Sequence, residues 1–207
     1  KARLILARMY NMYSEYVKNP NDYYHKAVEV IQKAIEYSPT REQLYFEIGQ
    51  SHVLLGDVEG GVEAYKKGLA LTPNVGVSNY YYGMSLFNWY KKAKEQKNES
   101  LAAEKLNEAV AYMDKAIEYK HFAQAGEGDL RRMSVVYGEA KRYDKMAEVF
   151  GEMLKKNPKN KDIISQLAMT YKEMGNREKA RETAEQLRGL KPTEQELGQL
   201  EVFLSSL

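Results

Sequence analysis

The sequence predicts an all-α chain, an array of antiparallel helix pairs stacked as a solenoid and closed by a last single helix. Three observations carry this. Pro39 and Pro73 stand 34 residues apart, as do Pro158 and Pro192, and Pro73 to Pro158 is two such periods with 17 residues added. The same step links Ala27 to Gly61, Ala34 to Gly68, Gly49 to Gly83 and Tyr137 to Tyr171. One period kept at so many positions marks internal repeats. Within each period, apolar residues recur at three- and four-residue steps on either side of a turn, the pattern of two amphipathic helices.

Each element follows in order. Residues 1–41 keep the second-helix register through Ala27, Ile31, Ala34 and Pro39, with about seven additional residues before it. Residues 42–75 are a full unit: Tyr45, Ile48, Gly49 and His52, then the turn residue Gly56, then Gly61, Tyr65, Gly68 and Pro73. Gly49, Gly61, Gly68 and Gly83 mark places where two helix backbones come close. Residues 76–126 hold the first-helix register at Gly83, but Ala109, Met113 and Ala116 arrive 14 residues late, and three more are added before the next unit. Shared between two antiparallel helices, the 14 residues lengthen each by about seven, or ~10 Å. The insertion runs through the polar stretch Lys91–Lys105, with Asn98 as turn and cap candidate. It fits a long hairpin, and a disordered loop is the other form it can take. His121 stands where the closing proline belongs, and Gly126 and Gly128 loosen the junction that follows.

Residues 127–160 return to the period with Leu130, Met133, Ser134, Tyr137, Met146, Phe150, Met153 and Pro158. Residues 161–194 show it most clearly. Ile164, Leu167, Ala168 and Tyr171 line one helix, Gly175 breaks it, Asn176 caps the next, and Ala180, Ala184 and Leu187 continue to Pro192. Residues 193–207 begin with the capping box Thr193–Glu196. They carry Leu197, Leu200 and Leu204 on one face, the form of a helix that seals a terminal repeat. The chain is thus read as a single solenoid domain over 1–207, with nothing left for a second.

Composition narrows the function. Lysine and arginine number 31 against 29 acidic residues, a net charge of +2, which argues against a general grip on nucleic acid or an anionic membrane. Cysteine is absent, which removes disulfides, thiolate metal sites and cysteine nucleophiles. No run reaches the ~18 apolar residues of a membrane span, and no signal peptide opens the chain. Beginning at Lys1 rather than Met, the sequence reads as a fragment or a processed form, a soluble segment whose compartment is open between cytoplasmic and extracytoplasmic.

Candidates for chemistry are few. His25, His52 and His121 have no metal-ligand spacing, and His52 is explained by packing. Gly126-Glu127-Gly128 lacks the third glycine of a dinucleotide loop. The carboxylates sit beside lysines on polar faces, as in Glu178-Lys179 and Glu104-Lys105. Asn98-Glu99-Ser100 matches a glycosylation acceptor by three residues alone. The expectation is a non-catalytic chain with no metal and no cofactor. Aromatics speak louder: Tyr80, Tyr81, Tyr82, Phe87, Trp89 and Tyr90 crowd into eleven residues. At 100° per residue one helix stripe cannot bury them all. Some face solvent, a ligand or a second copy, so self-association through 76–126 is one expectation and filling of the hairpin's own core is another.

The residues at 34-residue offsets carry a resemblance to the tetratricopeptide-repeat family. It covers nearly the whole chain and is strongest over 161–194. It implies a right-handed superhelix whose first helices line a concave groove for a protein or peptide. Family groove offsets, carried onto this sequence, fall on Gln43, Phe46, Glu47 and Gln50, on Val77, Tyr80, Tyr81, Met84, Phe87 and Asn88, on Arg131, Arg132 and Val135, and on Ser165, Gln166, Met169 and Lys172. That set implies an extended or helical ligand with an apolar anchor and an acidic neighbour beside the Arg131-Arg132 step. Phe46, Gln50, Tyr80 and Met84 occupy the positions where the carboxylate-clamp subset has Lys and Asn, so that clamp is not expected. The stretch Ser38-Pro-Thr-Arg-Glu-Gln-Leu-Tyr-Phe is also similar to repeat tails of bacterial O-antigen-ligase-type membrane polymerases, which implies a soluble tail of a larger protein as an alternative.

Overall fold

The computed structural model describes residues 2–207. Every regular element among them is a helix, and the chain divides into two compact units, 1–123 and 124–207. The first contains α1 (Ala2–Tyr13), α2 (Pro20–Tyr37), α3 (Glu42–Leu54), α4 (Val58–Leu71), α5 (Gly76–Glu95) and α6 (Glu99–Glu118), and the single turn α7 (His121–Gln124) follows. The second contains α8 (Glu127–Glu139), α9 (Tyr143–Lys156), α10 (Lys161–Glu173), α11 (Arg177–Glu185) and α12 (Glu194–Ser205).

In the first unit α1–α2, α3–α4 and α5–α6 are antiparallel pairs, and α2 packs on α3 and α4 on α5. Small residues set how close the pairs come. A Cβ on Gly61 would lie 3.1 Å from the Gly49 carbonyl oxygen, so α3 and α4 touch backbone to backbone. Leu4, Ala7, Ala27, Ile31, Leu44 and Ile48 form one continuous core over the first three helices. α5 and α6 run 20 residues each, against 13 and 14 for α3 and α4. The crowded aromatics fill this longer hairpin: Tyr80, Tyr82, Phe87 and Tyr90 are buried, Tyr82 stands edge-on to Tyr112 at 4.6 Å, and Tyr80 stacks on His121 at 4.6 Å. The Lys105 ammonium lies 4.5 Å from the centre of the Trp89 ring and pairs with Glu104 and Glu108. That keeps a nearly buried cation satisfied.

Three of the turns inside the pairs, α3–α4, α5–α6 and α10–α11, share one construction. A residue with left-handed backbone ends the first helix and a short polar side chain starts the second. Gly56 (φ 82°) precedes Asp57, and Gly175 (φ 73°) precedes Asn176. Lys97 (φ 58°) precedes Asn98 in the long hairpin. Asp57, Asn98 and Asn176 accept from the backbone N–H of Gly60, Leu101 and Lys179, filling the cap role. α9 departs from this, following Lys141 (φ 54°) and Arg142 with no side-chain cap.

In the second unit Leu130, Met133, Val136, Tyr137, Val149, Phe150, Ile163 and Ile164 are buried. α11 is short and passes into a 3-10 turn over Gln186–Leu190. The α-helix therefore stops before Pro192, consistent with the low helix propensity of Gly189. α12 closes this unit by laying Leu200 and Leu204 against Ala168 and Ala184. Its capping box is formed in both directions between Thr193 and Glu196, and Lys161–Glu196 (3.0 Å) and Arg188–Glu201 (2.6 Å) hold it at the edges.

Candidate partner-binding surfaces

In the first unit the centre is the Phe46 ring, which α3 places over Gly68 of α4. A Cβ on Gly68 would come within 2.5 Å of Phe46 Cε1, so the glycine is the seat of the ring. Phe46 stacks on Tyr65 with centroids 6.1 Å apart and meets Tyr81 at 5.5 Å. The buried Tyr65 hydroxyl donates to Gln50 Oε1 at 3.1 Å. Burial, together with the Glu47 carboxylate, holds its phenol well above the ordinary tyrosine range. Glu47 accepts from Arg8 Nε (2.9 Å) and Asn11 Nδ2 (3.0 Å), both on α1. Arg8, Phe46, Glu47, Gln50, Tyr65 and Tyr81 surround a concavity of about 510 Å³ with an aromatic floor and a polar rim.

Of the residues expected here, Gln43 and Gln50 are exposed, Phe46 and Met84 are half-buried, and Tyr81 is 41% exposed. Tyr80 and Phe87 are 2% and 5% exposed, so neither is a surface residue. The long hairpin takes both rings for its own core, Tyr80 onto His121 and Phe87 onto Tyr90. Arg8 and Asn11 were not readable as rim residues, because the additional residues in the first unit obscure the first-helix register there.

In the second unit, Arg131 donates to Glu127 at 2.9 Å and to Asp162 at 3.0 Å, and Asp162 also accepts from Gln166 at 2.9 Å. These contacts raise the Arg131 guanidinium and lower the Asp162 carboxyl from their ordinary values, the latter through Gln166 first and Arg131 second. Arg132 pairs with Asp129 at 2.8 Å. Both guanidinium groups of the expected basic step are therefore paired with the chain's own carboxylates, while their side chains stay 42% and 57% exposed. Met169 is exposed beside a smaller pocket of about 220 Å³ that it lines with Leu187, Leu200 and Phe203.

His52 Nδ1 lies 2.8 Å from Asp57 Oδ2, and the other oxygen of Asp57 caps α4. The pair closes the α3–α4 turn. Among the described residues no group of three or more histidine or acidic side chains is placed to hold a metal. No helix among them is long and apolar enough to cross a membrane.

Stacked antiparallel helix pairs of 34-residue period, with small residues between paired helices, define an α-solenoid. The chain is a tetratricopeptide-repeat protein: residues 42–75 match the family described as tetratricopeptide repeat, and residues 99–197 match the N-terminal TPR repeats region of Psidin. It is 21% identical over 155 residues to the BBSome complex member BBS4 homolog of Drosophila melanogaster, covering 75% of this chain and 31% of that relative's length. Among solved structures it is similar to Naa15/Naa10 bound to HypK-THB, with a TM-score of 0.68 at 16% identity over 93% of this chain and 26% of the other. It is also similar to YrrB, a TPR protein with an unusual peptide-binding site, with a TM-score of 0.59 at 17% identity over 98% and 91% of the two chains. A thermophilic TPR protein of Thermus thermophilus, TTC0263, gives 0.54 at 18% identity over 89% and 90%.

Proposed function

We propose that this chain is a non-catalytic protein–protein interaction module that binds a peptide or helical segment of a partner in the concavity of the first unit. The observation that supports this reading is the Phe46–Tyr81 pair. Two large rings stand partly exposed over a 510 Å³ concavity, fixed from below by Gly68 and Tyr65. Aromatic rings with their backs packed lose little entropy on binding and serve as anchors. Gln43 and Gln50 offer amides to a ligand backbone, and an apolar ligand side chain would sit between the rings. The internal pairing of Arg131 and Arg132 removes the requirement for an acidic neighbour in the ligand.

Selection of peptides from a displayed random library on the whole chain tests this. Binders are expected to lose affinity on the order of a hundredfold with Tyr81→Ala, while the melting temperature stays within a few degrees. Selected peptides that tolerate Tyr81→Ala and Gln50→Ala but fail with Met169→Ala would refute the first-unit site and move binding to the second unit.

A further inference from the structure

α1 has two faces, and the structure uses only one. Leu4 and Ala7 turn inward, Asn11 reaches α3, Arg8 pairs with Glu47, and Arg3 Nη1 donates to the Lys33 carbonyl with its guanidinium over Tyr37. The other face carries Ile5, Leu6, Met9, Met12, Tyr13 and, in the 3-10 turn that follows, Tyr16. All six are exposed, from 39% for Leu6 to 82% for Tyr16. Scaled from side-chain areas of ~200 Å², they leave on the order of 700 Å² open. That exceeds the largest patch usual on a monomer and approaches the ~800 Å² that each partner gives to a standard specific interface.

The spacing narrows what covers this face. Within α1, Ala2, Ile5, Met9 and Met12 follow one another at steps of three, four and three, the alternation of a coiled-coil seam, and Tyr16 stands in the 3-10 turn just beyond. A seam of that kind is filled by a second helix rather than by an extended strand or a small molecule. We propose that the occupant is a second copy of this chain, pairing α1 against α1 in antiparallel fashion about a two-fold axis.

Two features favour the same helix as partner. Reversed on itself, the seam sets Met9 against Met12 and brings Ile5 toward the turn that carries Tyr16, as the self-complementarity of a two-fold interface requires. Both arginines of α1 are already held by their own chain, so closing the interface strands no charge. The aromatic unit 76–126 has spent most of its rings on its own core and offers no comparable face. This proposal does not depend on the Phe46–Tyr81 site, and Tyr81→Ala leaves it untouched.

The test uses the 207-residue chain as a whole. Sedimentation equilibrium from micromolar to millimolar concentration is expected to show reversible doubling of mass. Met9→Glu with Met12→Glu should weaken the association at least about a hundredfold, with unchanged helicity and melting temperature. Since the chain has no cysteine, Met9→Cys and Met12→Cys chains mixed under oxidised glutathione give a second readout independent of the glutamate variant. Random pairing of equimolar chains makes the mixed 9–12 disulfide half of the product, so the two-fold seam should raise it well above half at the expense of the 9–9 and 12–12 forms. A monomer throughout the range overturns the proposal, and so does a dimer indifferent to the glutamates. A mixed disulfide at or below that statistical half, or uptake of the monomer by phosphatidylcholine vesicles, also overturns it.

Discussion

Gly76 and Gly151 predict opposite outcomes for one chemical change. Gly76 opens α5 where that helix meets the end of α6. A Cβ there would lie 2.7 Å from the Tyr119 carbonyl oxygen, 2.9 Å from the His121 nitrogen and 3.0 Å from the Ala116 carbonyl oxygen. All three are backbone atoms, so no rotamer relieves the clash and α5 must shift against α6. Overpacking of this sort costs ~1–3 kcal/mol, against a gain of ~0.4–1 kcal/mol from stiffening the unfolded chain, leaving Gly76→Ala destabilising by about 1–2 kcal/mol. Gly151 sits in the middle of α9 with nothing within 4 Å of the same added atom. Gly151→Ala gains helix propensity without a collision and stabilises by ~0.5–1 kcal/mol. Urea denaturation followed by circular dichroism reads both, and the pair should differ by about 2 kcal/mol. Equal effects of the same sign would refute the close backbone approach at the α5–α6 junction.

Other consequences are as direct. Lys141 holds a left-handed backbone at the α8–α9 turn, so Lys141→Gly should stabilise by ~1 kcal/mol and raise the melting temperature by ~2–4 °C. Gly68→Ala places a carbon 2.5 Å from Phe46, so it should displace the ring, cost ~1–2 kcal/mol and abolish peptide capture, with a changed near-ultraviolet spectrum as the sign of ring movement. Asp57 is held below its ordinary value first by the Gly60 N–H and then by His52. Its folded-state pKa lies below the unfolded one, so its contribution is complete above about pH 4 and is lost as pH falls through the folded value. Asp57→Asn keeps the cap and should flatten that acid limb of the stability profile, whereas Asp57→Ala should cost ~1 kcal/mol at neutral pH.

What the sequence discloses here is spacing, and what it conceals is pairing. The helix pairs were legible because each needs the same small residues and stops at the same offsets: Gly49 opposite Gly61, Gly56 in the turn, Asn176 as cap. The hairpin was legible as arithmetic, since 14 extra residues between two helices have to lengthen both. The surfaces were less so. Tyr80 and Tyr81 are neighbours of identical chemistry, yet α5 turns the first into the core and leaves the second half open, and the buried ring stacks on His121, a contact 41 residues away in sequence.

Arg131 shows the same limit from the electrostatic side. A doublet of arginines reads as a cationic step in one dimension, but Glu127 lies one helical turn before it and Asp162 on the next first helix, so the folded chain presents ion pairs there. The reverse holds for α1, where no pairing hides the pattern. Once Leu4 and Ala7 are known to face inward, the solvent-facing three-and-four alternation of Ile5, Met9 and Met12 has no use within the described chain. Tetratricopeptide helices are amphipathic on one side unless a neighbour sits on the other. A helix with an apolar stripe on both sides is therefore an argument for a second helix, and the mass of the chain in solution decides whether that helix is its own copy.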